Sequence, residues 1–152
     1  MRFWRICRRR YAPEVATGEG ARLYGGRWNS RGVRVIYAST SLSLAAVETF
    51  VNLSPNLLPA DLVSVEVRTP KSLKIATLAL ADLPAEWHKT RDESLRHFGD
   101  EWIRRGNTAG LLVPSAVIRG EWNVLFNPAH RDFPKVSFGE PEVFEFDARM
   151  FR

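Results

Sequence analysis

The chain has 152 residues, 45% of them hydrophobic, which suffices for one domain with a buried core and no structural metals or disulfides. Its 22 Lys and Arg exceed its 17 Asp and Glu, giving a net charge of +5 that suits an anionic partner. The basic residues are dispersed apart from Arg8-Arg9-Arg10 and Arg104-Arg105, so no DNA-binding footprint stands out. Cys7 is the lone cysteine, no apolar run reaches the roughly 18 residues of a membrane span, and the charged N-terminus lacks a signal-peptide core. A cytoplasmic protein without a membrane segment is therefore expected.

Arg2 to Cys7 reads as a short strand carrying Phe3, Trp4 and Ile6. Residues 12–32 contain Pro13, Gly18, Gly20, Gly25, Gly26 and Gly32 and read mostly as loop. Val33 to Ser39 reads as a strand with Val33, Val35 and Tyr37 on one face and Ile36 off it. Ser41 is a suitable N-cap for a helix through Leu53, with Leu44, Val47 and Val51 as its apolar stripe. Glu48 lies at the edge of that stripe, and a carboxylate there needs a partner because burying it unpaired is costly. Leu62 to Arg68 alternates as a strand with Val63, Val65 and Val67 inward, and Leu73 to Leu78 forms another. Pro84 to Arg105 has helical character, in one piece or two, ended by Gly106. Leu111 to Ser115 is a short strand broken by Pro114, and Val124 to Phe126 is another, ended by Asn127-Pro128. Phe144, Phe146, Ala148 and Met150 alternate with Glu145, Asp147 and Arg149, which predicts a half-buried final strand.

Strands and helices mix without regular βαβ alternation, and no linker divides the chain. The expectation is one domain over 1–152 of class α+β, with a mixed, largely antiparallel sheet and flanking helices.

Several chemistries are absent. There is no P-loop and no Gly-x-Ser-x-Gly elbow. Gly18-Glu-Gly20 begins like a dinucleotide fingerprint, but Leu23 breaks it. His88, His97 and His130 lack metal-ligand spacing, so no metal site is expected.

The segment Tyr24-Gly-Gly-Arg-Trp-Asn-Ser30 is more informative. Gly25 and Gly26 permit close approach of a ligand, and Arg27 offers a planar fork for phosphate or carboxylate oxygens. Arg27 could equally pair within its own fold, Tyr37 could be core, and Glu48 could be solvated. Ser115 beside Pro114 could be a turn residue, and Asn123 and Asn127 add polar groups around Val124-Leu-Phe126. Taken together, Arg, Tyr and Glu on successive elements have a logic for NAD⁺. The arginine holds phosphate or ribose oxygens, the tyrosine ring stacks on the cationic nicotinamide, and the carboxylate stabilises oxocarbenium character as the nicotinamide–ribose bond breaks.

In this order the residues resemble the RES domain, the toxin of the RES–Xre toxin–antitoxin family. The matching pieces are Trp4-Arg-Ile6, Gly25-Gly-Arg-Trp-Asn29, Val35-Ile-Tyr-Ala38, Leu44-Ala-Ala-Val-Glu48, Leu112-Val-Pro-Ser115 and Glu121 to His130. The family's naming Arg, Glu and Ser correspond to Arg27, Glu48 and Ser115. Pro70 to Gly110 is left unmatched and is expected to carry none of the site.

The resemblance implies an ADP-ribosyltransferase-like fold and a toxin that depletes NAD⁺ by hydrolysis or phosphorolysis, with ADP-ribosylation of a host protein as the alternative. It implies Glu48, Arg27 and Tyr37 as catalytic residues, and Arg27, Tyr37, Ser115, Asn127 and Gly26 as substrate-binding. NAD⁺ would be substrate, with no cofactor. An Xre-type antitoxin would cover the active site and carry any DNA binding. The charge and aromatics leave a nucleic-acid-binding or RNA-cleaving toxin as a further alternative, though no basic helix or histidine pair supports it.

Overall fold

The computed structural model describes residues 1–54 and 56–151. Its centre is an eight-stranded sheet formed by β1 (Arg2–Arg8), β2 (Ile36–Ser39), β3 (Leu62–Arg68), β4 (Ile75–Thr77), β5 (Gly110–Pro114), β6 (Trp122–Phe126), β7 (Ser137–Phe138) and β8 (Glu142–Val143). The order is β4-β5-β6-β2-β1-β3-β7, with β8 also paired to β3. The helices are α1 (Glu19–Tyr24), α2 (Leu42–Val51) and α3 (Glu93–Arg105). Only β4 and β5 pair in parallel, and α3 lies within the crossover that a parallel pair requires. The class is thus the expected α+β, mixed and largely antiparallel.

The sheet carries a core on each face. The period of two sends Ile36 and Ala38 of β2 to one side, with Phe3, Val67, Val124 and Phe126. Tyr37 goes to the other side, against Trp28, Leu111, Val113, Leu125, Leu95 and Trp102. The last two come from α3, seven residues apart and therefore on one face of the helix. The Asp92 side chain caps α3 by accepting from Ser94 N, and Gly106 ends it in the left-handed conformation at φ 62°. Ser41 caps α2, its Oγ accepting from Leu44 N at 3.0 Å.

Three elements differ from their sequence expectation, and a fourth, Pro84 to Arg105, takes the two-piece form of its expectation. The strand after the glycine-rich segment begins at Ile36, not Val33. The segment expected to be mostly loop contains α1 and a 3-10 turn over Arg9–Glu14. Pro84 to Arg105 splits into a 3-10 turn, Trp87–Lys89, and α3, because Thr90 is extended between them at φ −119°, ψ 159°. The final strand over Phe144 to Met150 does not form. After Gly139 only Glu142–Val143 pairs with β3, and Ala148–Phe151 is a 3-10 turn. The alternation of Phe144 and Phe146 has another cause: they cluster with Phe151 and with Phe50 of α2, at ring separations from 5.0 to 5.9 Å. Among the described residues, no helix is long and apolar enough to cross a membrane.

Candidate active site

A cavity of about 590 Å³ opens beside β1, β2 and α2, and Glu48, Arg27, Tyr37 and Gly26 all line it. The face of α2 turned to this space is Ala45, Glu48 and Thr49, followed by the C-cap Asn52. Val51, expected in the apolar stripe, is instead 51% exposed. Glu48 is therefore on the inward face of the helix, not at its margin.

Its carboxylate has the partners that burial demands. Glu48 Oε1 accepts from Ser115 Oγ at 2.6 Å and from Asn123 Nδ2 at 2.7 Å. Both donors are themselves oriented. Ser115 Oγ accepts from the amides of Val117 and Ile118 at 3.1 and 3.0 Å, which leaves its one hydrogen for Glu48. Asn123 Oδ1 accepts from Ser39 Oγ at 2.7 Å, which turns the amide nitrogen toward Glu48. Among the described residues, Oε2 receives no hydrogen bond, so one oxygen is anchored and the other is left for a ligand.

The Arg27 side is built differently. Arg27 Nη1 donates to the carbonyl of Trp87 at 3.3 Å and to that of Thr90. Burial and the neighbouring Arg91 both lower the Arg27 pKa from its ordinary value. The Tyr37 hydroxyl donates to Asn29 Oδ1 at 2.6 Å and accepts from Trp28 N at 3.1 Å. Burial raises the phenol above its ordinary pKa, so it is a neutral group tied to the loop rather than a proton acceptor. Asn29, fully buried, donates to the carbonyls of Ala21, Ser30 and Val33. A Cβ on Gly26 would sit 2.7 Å from the Tyr37 hydroxyl, so only glycine fits this close approach.

Two of the residues expected to bind substrate stand elsewhere. Ser115 is 2% exposed and spends its hydrogen on Glu48, so it holds the carboxylate and does not face the cavity. Asn127 is not brought to the site. It lies four positions past Asn123, roughly 13 Å along the strand direction, and its Oδ1 accepts from Ala129 N at 2.9 Å in a turn. Asn123 is the asparagine that reaches Glu48.

Three arginines join the cavity wall beyond the expected Arg27: Arg8, which pairs with Asp61 at 2.9 Å, Arg91 and Arg5. Arg91 falls in the stretch expected to contribute nothing, and it donates to Asn52 Oδ1 at 3.0 Å. Nothing in its local sequence marks it. Arg5 does carry a signal, a charge between Trp4 and Ile6 in an apolar strand. It donates from Nη1 to the Tyr37 carbonyl at 3.1 Å, while its Nε is shut from solvent and has no partner among the described residues. Burial lowers its pKa, and no carboxylate lies within ion-pair distance among the described residues. Arg5 also lines the cavity, where an anionic group of a ligand can reach its guanidinium. No cluster of three or more potential metal ligands occurs among the described residues.

The Glu48 carboxylate facing Arg5, Arg27 and Arg91, with Arg8 already paired to Asp61, suits a ligand that is anionic at one end and becomes cationic at the other. A model of the RES domain matches residues 2–147. The chain belongs to the RES-domain family. This RES-domain chain is similar to the Prs ADP-ribosylating toxin of Sphingobium sp. (strain YBL2), with 37% identity over 99% of this chain and 96% of that one. It is also 37% identical to a Toxin Res of Yersinia enterocolitica, over 99% of both chains. The fold is shared with a chain of the MbcT–MbcA toxin–antitoxin complex of M. tuberculosis. There the TM-score is 0.72 at 19% identity, over 94% of the RES-domain chain and 83% of the other.

Proposed function

We propose that this RES-type toxin binds NAD⁺ in the cavity and cleaves its nicotinamide–ribose bond, arresting growth of its own cell unless an antitoxin covers the site. The observation that carries this reading is the Glu48 carboxylate, anchored through one oxygen by Ser115 and Asn123 in a cavity whose wall also carries Arg5, Arg27 and Arg91. Arg27, Arg91 and Arg5 take the pyrophosphate oxygens. The Tyr37 ring forms part of the wall on which the nicotinamide end rests, and Gly26 lets the Arg27 loop close onto Tyr37.

The C–N bond breaks with its electron pair going to nicotinamide, which leaves as a neutral molecule. The ribosyl centre then bears positive charge, and the fixed carboxylate of Glu48 stabilises it. Water that adds to this centre gives up a proton and yields ADP-ribose, whereas phosphate yields the 1″-phosphate. NAD⁺ is substrate, so no separate cofactor is needed.

Purified protein incubated with NAD⁺ tests this reading. Glu48→Gln keeps an oxygen for Ser115 and Asn123 to approach but removes the charge, so kcat falls by roughly 10²–10³-fold with the fold intact. Turnover by that variant at the parental rate would remove Glu48 from the mechanism. A second reading, transfer of ADP-ribose to a protein, is favoured by the name of the Sphingobium relative. The same assay in lysate with labelled NAD⁺ separates the two: label on one protein band means transfer, label in free ADP-ribose means cleavage.

The shared fold with a chain of a toxin–antitoxin complex supports an antitoxin as partner. The family resemblance makes it an Xre-type protein, which would carry DNA binding while this chain does not. The net charge of +5 suits an acidic surface on that partner. A toxin that consumes NAD⁺ would act in the cytoplasm, which fits the lack of any helix long and apolar enough to cross a membrane among the described residues.

A further inference from the structure

The Arg27 loop lies on α3 through two contacts that the proposed chemistry does not itself require. The Asp100 carboxylate takes the main chain of Ser30 at one oxygen and its hydroxyl at the other: Ser30 N to Oδ1 at 2.9 Å and Ser30 Oγ to Oδ2 at 2.6 Å. One residue earlier, Gly99 is buried against the loop so closely that a Cβ there would fall 1.8 Å from the Trp28 carbonyl oxygen. Residues 28–30 therefore sit flush on the helix, clasped at one end by a charged fork and admitted at the other by a missing side chain.

The arginine is held from the same side. Its guanidinium reaches the carbonyls of Trp87 and Thr90, just before the Asp92 cap that starts α3. The Trp28 and Trp87 rings meet at 5.8 Å between these two attachments. Main chain and guanidinium are thus both fixed to residues 87–100, a segment continuous with α3, which Leu95 and Trp102 anchor in the core.

We infer that Asp100, with Gly99, is a positioning residue for Arg27 and through it for the anionic part of the substrate. This rests on the reading of the cavity as an NAD⁺ site. Its consequence is a split between binding and chemistry. Loss of Asp100 frees the loop and weakens NAD⁺ binding, while the Glu48 corner, held from β5 and β6, is untouched.

The test compares Asp100→Ala, Asp100→Asn, Arg27→Ala and the Asp100→Ala/Arg27→Ala pair. NAD⁺ affinity is titrated in the Glu48→Gln background, where substrate persists, and kcat and KM are measured with Glu48 present. Asp100→Ala should weaken NAD⁺ binding about 10-fold or more, with kcat at saturation within about twofold of the parent. Asp100→Asn keeps an acceptor for Ser30 N and should recover most of the affinity. In the Arg27→Ala background, Asp100→Ala should add no further loss. Unchanged affinity in Asp100→Ala, or an equal loss with Arg27 already gone, would overturn the inference. Gly99→Ala, which displaces the Trp28 carbonyl without touching the carboxylate, should give the same split should Asp100→Ala fold poorly. Amide hydrogen exchange separates the two levels of the claim. If the parent fails to bind NAD⁺, the functional reading falls, yet faster exchange over residues 26–30 in Asp100→Ala still reports the clasp. Parental exchange there would sink the clasp itself.

Discussion

Glu48 and Arg27 line one cavity but are held by different kinds of groups. Glu48 stands on a regular helix and is fixed by two side chains, Ser115 and Asn123, at the end of β5 and within β6. Arg27 stands in a loop and is fixed by two backbone carbonyls, those of Trp87 and Thr90. A side-chain clamp can be removed one group at a time. A carbonyl clamp survives any side-chain substitution at 87 or 90 and fails only when the backbone that presents it moves. Substitutions around Glu48 should thus act on chemistry, and those around Arg27 on binding.

The largest effect beyond loss of Glu48 itself is expected from stripping its clamp. Ser115→Ala with Asn123→Ala leaves the carboxylate free to turn, and kcat should fall by about 100-fold with little change in KM. The Ser115 change also strands the Val117 and Ile118 amides, lowering stability by about 1–3 kcal/mol in a denaturant titration. A rise in KM with kcat intact would mean that these residues contact substrate and would break the contrast between the two corners.

An intermediate effect is expected at Gly26. A Cβ there meets Tyr37 Oη at 2.7 Å and Asn29 Oδ1 at 3.0 Å, so Gly26→Ala pushes apart the pair that ties the Arg27 loop to β2. KM for NAD⁺ should rise about 10-fold, with a small fall in kcat. Equal losses in kcat and kcat/KM, with KM unchanged, would show that the loop acts in the transition state and not in ground-state binding.

The same contrast decides how much was legible in the sequence. Glu48 was conspicuous because a carboxylate beside an apolar helical stripe demands partners, but Ser115 read only as a turn residue beside Pro114 or as a substrate-binding residue, not as the group that holds Glu48. The Arg27 loop was visible through its paired glycines. Its supports were not, because carbonyl groups have no letter in a sequence, and Arg91, Gly99 and Asp100 look like ordinary members of a solvated helical segment. Asn127 was expected at the site only through the family resemblance; the fold puts it past the end of β6, while Asn123, near the start of that strand, lines the cavity and reaches Glu48. The C-terminal alternation was read as a strand because period two records which side chains are buried, not what they are buried against. Phe144 and Phe146 find one another, Phe151 and Phe50 instead of a neighbouring strand.

The smallest effect concerns acid stability on the Arg27 side. Asn29 donates to Ala21 O, and Gly32 N donates to Arg22 O, so the loop leans on α1. Glu19 of α1 bonds Arg22 first and Arg34 second, and these partners lower its carboxyl from the ordinary range to about 2. A depressed carboxylate contributes stability that is fully present above its unfolded pKa and is lost as pH falls through the folded value. The window therefore runs from the ordinary carboxylate range down to about 2. The pair is open to solvent, so the effect is small and shrinks with salt. Thermal melts of the parent and Glu19→Gln across that window should show a slight advantage for the parent at neutral pH that vanishes toward the acid end. An advantage that persists undiminished there would mean that Glu19 stabilises α1 by packing and not by charge.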